Sequence, residues 1–284
     1  MTLLALAVTG RGVVDPTSPA VFADDEAFLR GRAAFETLRV YGGRPFKLEP
    51  HLERLASSAG RIDLPLPDLD VLRTLAGDAL AASGASDAVL RLYWTPGREG
   101  HGEPLGLALV ATIPASHEEV RARGMRLVAL PLGVPIELRR NAPWVLGGVK
   151  STSYAVNMAA DAEAKRRGAD DAVFLAEDDI LLEGPVTNVW WRRGETLYTP
   201  SLEVGILAGV TRATVMELSG TEGFAVEEGV YRLPELAGAD EAFTSSSVRE
   251  LMPVVALDGV PVGNGQPGSA AQRLQQALRR VAAA

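Results

Sequence analysis

Lys150 stands in Gly147-Gly-Val-Lys-Ser-Thr-Ser-Tyr154, where an apolar stretch gives way to a helical pattern. Glu183 follows in Leu181-Leu-Glu-Gly-Pro-Val-Thr-Asn188, and Gly209-Val-Thr-Arg212 comes after it. A lysine amine can attack a carbonyl carbon. A buried carboxylate can keep a heterocyclic nitrogen protonated. Backbone N–H groups at a helix start, with hydroxyls and an arginine, can hold a phosphate. Each residue alone has a plainer reading. Lysine is rarely buried, so one at a helix start is ordinarily a solvated side chain, and a glutamate before Gly-Pro can be a turn carboxylate. The order of all three is what carries information.

An amine, a carboxylate and an anion-binding turn are the parts needed to hold pyridoxal phosphate. The wording around them extends over most of the chain, from about Phe28 to Pro261. It includes Phe35-Glu-Thr-Leu-Arg-Val40, Pro50-His-Leu-Glu-Arg-Leu55 with Ser57-Ser-Ala59, and Gly168-Ala-Asp-Asp-Ala-Val-Phe-Leu175. Thr199-Pro, Gly205-Ile-Leu-Ala-Gly-Val-Thr-Arg212 and Thr244-Ser-Ser-Ser-Val-Arg-Glu-Leu-Met-Pro-Val254 complete it. In this order the segments resemble the class IV (fold-type IV) aminotransferases. That family takes in branched-chain and D-amino acid aminotransferases, (R)-amine transaminases and aminodeoxychorismate lyases.

The resemblance implies roles. Lys150 would form the Schiff base with pyridoxal phosphate and shuttle the proton at the substrate Cα. Glu183 would face the pyridine nitrogen. Arg54 would bind the phosphate, helped by Val210, Thr211 and Ser247. Leu207 would pack on the ring, and Tyr154 would reach its O3′. Phe35, Thr37 and Arg39 fall on one face of an alternating strand, and in the family that face lines the substrate pocket, with Val248 beside it. Arg91 can share the face. Arg30 precedes Gly-Arg-Ala-Ala where relatives carry Gly-Asp-Gly, and the departure adds arginines near the pocket. Arginine forks suit carboxylates, so Arg30 and Arg91 are candidates for the substrate carboxylate, or for structural ion pairs. Arg98 and His101 have the wrong spacing for the Arg-x-His carboxylate trap of bacterial D-amino acid enzymes. His51 and His101 have no metal-ligand spacing.

The bulk composition sets outer limits. The 284 residues suit one large or two medium domains, with 47% hydrophobic and 23% charged residues. A net charge of -8 argues against a nucleic-acid partner. With no cysteine there is no disulfide, thiolate chemistry or cysteine-bound metal. Met1-Thr-Leu-Leu-Ala-Leu-Ala-Val8 lacks a basic leader and reads as a first strand. No apolar run reaches membrane-spanning length, so a soluble cytoplasmic protein is expected.

The elements that position these residues follow from periodicity. Strands are expected at Ala33–Val40, Ala88–Trp94, Leu105–Ile113, Ala172–Leu175, Asp179–Leu182 and Val189–Trp191. Helices are expected at Pro50–Gly60, Val71–Ala82, from Ser151 (as cap) to about Arg167, at Thr211–Leu218 and at Ala270–Val281. The polar Ser116–Arg123 run reads as a junction. Residues 1–117 form a small N-terminal α/β domain and 118–284 a larger one that binds the cofactor. This α+β pattern fits the resembled architecture, a small strand-rich domain with two helices and a larger pseudo-barrel α/β domain. The family also implies a homodimer whose partner completes each pocket. Val281-Ala-Ala-Ala284 is expected to fray.

Reaction class is the finer question. Phe35, Thr37 and Arg39 are shared with aminodeoxychorismate lyases, which release pyruvate and 4-aminobenzoate. The lyase-type loop Gly-Arg-Gly-Tyr is replaced by Gly100-His-Gly-Glu103, and branched-chain enzymes tend to carry Gly where Thr37 stands. The reading is transamination between a D-amino acid and a 2-oxo acid such as 2-oxoglutarate or pyruvate. The lyase and a branched-chain L-amino acid aminotransferase are the alternatives. A binding protein that merely carries the cofactor is disfavoured because Lys150 and Glu183 are both present. No Gly-x-Gly-x-x-Gly follows a strand, which disfavours a dinucleotide binder.

Overall fold

The computed structural model describes residues 1–283. Two units divide the chain: Met1–Pro114 with Val149–Tyr154, and Ala115–Gly148 with the chain from Ala155 onward. The sequence puts a single junction after residue 117, whereas contacts divide the chain after Pro114 and return the lysine segment to the first unit.

The first unit runs β1 (Leu3–Val8), β2 (Gly12–Val14), α1 (Glu26–Arg30), β3 (Ala34–Tyr41), β4 (Arg44–Pro45), α2 (Leu48–Arg61), α3 (Leu69–Ser83), β5 (Ala88–Thr95) and β6 (Leu105–Ala111). The strands make one sheet in the order β2-β1-β6-β5-β3-β4. Alternation in β3 decides its two faces. Ala34, Glu36, Leu38 and Val40 are buried, while Phe35, Thr37, Arg39 and Tyr41 are half-buried. The buried face packs on the helices. Leu52, Leu55 and Ala59 of α2 and Leu72, Leu75, Ala76 and Ala79 of α3 share a core with Leu38, Leu90, Leu92 and Val110. Each fully buried leucine there contributes about 2 kcal/mol. Asp68 caps α3 by accepting from the N–H groups of Asp70 and Val71, and Gly84 in the left-handed region ends it. The short α1 is a third helix that periodicity misses. It has only five residues, and buried Asp25 caps it by accepting from Ala27 N.

The second unit runs α4 (Ser116–Arg123), β7 (Met125–Pro131), α5 (Ile136–Asn141), α6 (Ala155–Arg166), β8 (Asp171–Leu175), β9 (Asn188–Arg193), β10 (Thr196–Pro200), α7 (Val210–Ser219), β11 (Ala225–Gly229), α8 (Leu233–Ala237), β12 (Glu241–Ser246), β13 (Glu250–Leu257), β14 (Val260–Pro261) and α9 (Ser269–Ala283). Its sheet has the order β11-β10-β9-β12-β13-β7-β8, with β14 on β13. Pairs β10–β11, β13–β7 and β7–β8 are parallel and the others antiparallel. The mixed helix-and-sheet architecture agrees with the α+β expectation.

Two expectations are corrected, and the run beside the junction is itself an element. Ser116–Arg123 is a helix, with acidic residues in its first turn and arginines in its last, as the helix dipole favours. Ser151 does not stand at the cap position of α6, which begins at Ala155. Its segment pairs with β3, with Phe35 N donating to Lys150 O and Thr152 N to Ala33 O, so the helix waits until Ala155. Asp179–Leu182 is not a ladder strand. Asp178 and Asp179 are left-handed, and Leu181 N and Leu182 N donate to different segments, Tyr231 O and Phe174 O. At the C-terminus α9 continues through Val281 to Ala283, and Ala284 lies outside the described residues. Among the described residues no helix is long and apolar enough to cross a membrane.

Candidate active site

Lys150 belongs to the first unit, and its backbone is held on both sides. Its N–H donates to Ser58 Oγ on α2 at 3.2 Å, and its carbonyl accepts from Phe35 N at 3.1 Å. Its Nζ lies 4.4 Å from the centroid of the Phe35 ring. Phe35 stacks on Tyr93 at 5.8 Å and meets Tyr154 edge-on at 5.4 Å. Strand register sets Phe35 opposite Tyr93, Thr37 opposite Arg91 and Arg39 opposite Val89. The half-buried face therefore gathers the amine, the three aromatic rings of Phe35, Tyr93 and Tyr154, a threonine and two arginines, Arg39 and Arg91. The alternation rule brings Phe35, Thr37 and Arg39 to this face as expected; Tyr93 is an addition that the same rule, applied to β5, could have found.

Arg54 is not a solvated helical arginine. Its Nε and Nη2 donate to Glu36 Oε1 and Oε2, each at 2.7 Å. His51 Nδ1 sits 2.6 Å from Glu36 Oε2. A carboxylate can only accept, so Nδ1 carries the proton. The 3.4 Å approach of Arg54 Nη2 to Nδ1 is then the proximity of two donors sharing one acceptor. Glu36 and His51 are buried. Burial pushes the Glu36 carboxyl up, but the Arg54 charge and the Arg54 and His51 hydrogen bonds outweigh it and hold it at about 2. Burial pulls the His51 imidazole below its ordinary value, against the pull of Glu36. A sequence signal for Glu36 existed: a charged residue at a core-facing position of an alternating strand requires partners. His51 and Arg54, three apart on one helix, share a face that can supply them.

The other arginines near this unit's loop are engaged elsewhere. Arg30 pairs with Glu99 on the surface at 2.5 Å. Arg32 donates to Glu26 and to the carbonyls of Ile62 and Asp63. Arg98 holds Asp24 through Nε and Nη2. Arg30 and Arg98 thus tie the loop 96–104 to the α1 region. Arg91 keeps to the sheet face, with Nη2 3.3 Å from Met1 Sδ.

In the second unit Glu183 is half-buried. Leu207 N donates to its Oε1 and Oε2 at 3.2 and 3.1 Å, and Asn188 Nδ2 lies 3.4 Å from Oε2. Asn188 Nδ2 also donates to Leu207 O at 3.0 Å. Asn188 and Leu207 together orient the carboxylate. Arg139 stands behind them, with Nη2 donating to Gly205 O at 2.8 Å. Its Nε is buried with no hydrogen-bond partner among the described residues. Burial pushes the Arg139 guanidinium down, while the charge of Glu183 pulls it back up.

Helix α7 begins at Val210, with Thr211 buried beside it. Its N-cap is Gly209, and no side chain caps it. The first amides of a helix are orphan donors and carry the positive end of its dipole, which suits an anion. Arg212 does not join them: its Nη2 donates to Pro200 O at 3.0 Å and pairs with Glu228. Ser247 and Val248 are half-buried in the turn between β12 and β13. No group of three or more potential metal ligands occurs among the described residues.

Each unit offers groups of the kind pyridoxal phosphate needs: the first an amine on an aromatic face, the second an oriented carboxylate and a helix N-terminus that no side chain caps. The family model for amino-transferase class IV matches residues 33–257. A bifunctional aminodeoxychorismate lyase / D-amino acid transaminase of Mycobacterium tuberculosis is 34% identical over 257 residues, 87% of this chain and 89% of that protein. The fold IV-transaminase CpuTA1 of Curtobacterium pusillum superposes with a TM-score of 0.88 at 36% identity, covering 96% of this chain and 91% of that one. The PLP-bound form of a hypothetical aminotransferase from Mycobacterium tuberculosis gives a TM-score of 0.90 at 31% identity, covering 98% and 99%. The chain belongs to the class IV aminotransferases, the pyridoxal-phosphate enzymes of fold type IV.

Proposed function

We propose that this enzyme moves an amino group between a D-amino acid and a 2-oxo acid such as 2-oxoglutarate or pyruvate. The observation that carries the reading is the position of Lys150 Nζ against Phe35, on the sheet face that also bears Thr37 and Arg91. Pyridoxal phosphate, when bound, supplies an aldehyde that bonds the lysine amine and a protonated ring that stores an electron pair. Lys150 holds the cofactor and moves the proton at the substrate Cα. Glu183 keeps the ring nitrogen protonated, with Asn188 and Leu207 N fixing its carboxylate. Leu207 would pack on the ring, and Tyr154 would reach its O3′. Arg54, the first amides of α7, Thr211 and Ser247 hold the phosphate.

Arg91 receives the substrate carboxylate in this reading. Arg30 is the weaker candidate, because its guanidinium is spent on Glu99 in solvent. Phe35, Tyr93, Thr37, Arg39 and Val248 shape the rest of the pocket. A fork that fixes the α-carboxylate also fixes which substituent of Cα faces Lys150. We also propose a cytoplasmic homodimer.

A second reading is supported by the bifunctional relative, which by its name joins D-amino acid transamination to aminodeoxychorismate lysis. One set of assays separates the readings. D-alanine with 2-oxoglutarate should give pyruvate and glutamate, while L-alanine should not. Lys150→Ala should lower that rate by about 10³-fold or more. Turnover of L-leucine or L-valine instead would make it a branched-chain enzyme. Inertness to every amino acid, with pyruvate released from aminodeoxychorismate, would make it a lyase alone.

A further inference from the structure

The Glu36–His51–Arg54 cluster is more than a phosphate anchor needs. Glu36 has no solvent exposure, whereas the Arg54 side chain is 13% exposed. The carboxylate thus stands behind the guanidinium, on the core side of β3. Replacing a buried ion pair by apolar side chains is often neutral or stabilising, so stability alone does not account for it. A guanidinium presents five N–H donors in a rigid fork. Two bonds from Nε and Nη2 to both oxygens of one carboxylate fix its plane. The His51 bond occupies Oε2 as well and hinders the carboxylate from turning.

We propose that Glu36 is a positioning residue for cofactor binding: it sets the plane of the Arg54 guanidinium so that the arginine meets the cofactor phosphate in one orientation, with His51 locking Glu36 in turn. The inference rests on the reading of Arg54 as the phosphate anchor. It also has a sign that can be checked. By charge alone, removing a negative group behind Arg54 would strengthen its hold on a phosphate. If orientation dominates, removing that group weakens the hold.

The test measures dissociation constants of the full-length apo-protein for pyridoxal phosphate and for pyridoxal, which lacks the phosphate. Glu36→Gln should weaken pyridoxal phosphate binding by about tenfold and leave pyridoxal within about twofold. Arg54→Gln should discriminate in the same way, and the double variant should bind no more weakly than Arg54→Gln alone. Glu36→Asp keeps the charge but shortens the reach. It serves if the glutamine variant does not fold, and it too should loosen only the phosphorylated ligand. Tighter pyridoxal phosphate binding in Glu36→Gln, or equal weakening for both ligands in either Glu36 variant, overturns the positioning role. If Arg54→Gln itself treats both ligands alike, the phosphate reading of Arg54 is what fails.

Discussion

His51 and Glu36 couple the first unit's stability to pH in a direction that can be worked out. Glu36 titrates at about 2 in the folded chain, against 4.5 ordinarily. A depressed carboxyl contributes stability that is present above its unfolded pKa and lost as pH falls toward its folded one. That loss belongs below about pH 4.5. His51 is also depressed, from 6.5, by burial. The unfolded chain therefore takes up this proton first, and stability falls as pH drops below about 6.5. Its charged neighbours are Glu36, Arg54 and Lys150. His51→Gln should flatten the decline of the thermal midpoint between about pH 6.5 and pH 5, leaving the steeper loss at lower pH in place. An unchanged slope in that window would assign the titration to another group. Little of this was legible in the sequence. His51 has no metal-like spacing, and the family resemblance supplies Arg54 with its anion but not with the buried carboxylate that holds it. Alternation marks Glu36 as a core-facing charge that needs partners, and spacing puts His51 and Arg54 on one helix face, but that this strand meets this helix is a long-range fact that spacing alone does not give.

At the scale of elements, periodicity served wherever an element buries one face. Helices α2, α3, α7 and α9 and strands β3, β5 and β6 lie within about two residues of where their patterns end. The pattern failed where pairing partners are remote. The lysine segment looked like a helix start because Ser151 can cap, but its backbone is committed to β3. The turn at Gly209 shows how narrowly the second unit's elements are fitted. A Cβ at Gly209 would stand 2.0 Å from Asn188 Oδ1, and Asn188 is the side chain that bridges Leu207 O and approaches Glu183. Gly209→Ala should displace Asn188, weaken pyridoxal phosphate binding by about tenfold and shift the absorption of the bound cofactor. Gly220, at the other end of α7, offers the control. It is helical in φ and ψ, and a Cβ there meets nothing within 4 Å. Gly220→Ala should raise stability by about 0.4–1 kcal/mol through the unfolded state and leave cofactor affinity unchanged. Equal effects of the two substitutions on affinity would mean that Asn188 does not position Glu183.

The whole chain carries apolar surface that its own elements leave uncovered. In the first unit Phe28 is 75% exposed, with Phe22 and Leu29 near it in sequence, and in the second unit Trp144 is 79% exposed. Single exposed apolar side chains are ordinary, but several large ones close together in a short segment mark a surface meant for a partner. Phe28 lies on α1, between buried Asp25 and the Arg30–Glu99 pair that ties the loop 96–104 to that helix. A second copy of the chain is the partner proposed here, and most closed assemblies of one chain are twofold dimers. A helix of five residues with no buried side chain gains little from its own unit. Its order would then draw on the interface. Phe28→Asp places a charge in that surface and should shift the mass measured by light scattering from dimer toward monomer. If the partner of the proposed homodimer completes each pocket, pyridoxal phosphate affinity should fall with it, because a partner that binds the competent form stabilises it by mass action. Phe28→Leu keeps the surface apolar and should behave as the parent does. A Phe28→Asp protein that remains dimeric at low micromolar concentration would take this face out of the interface.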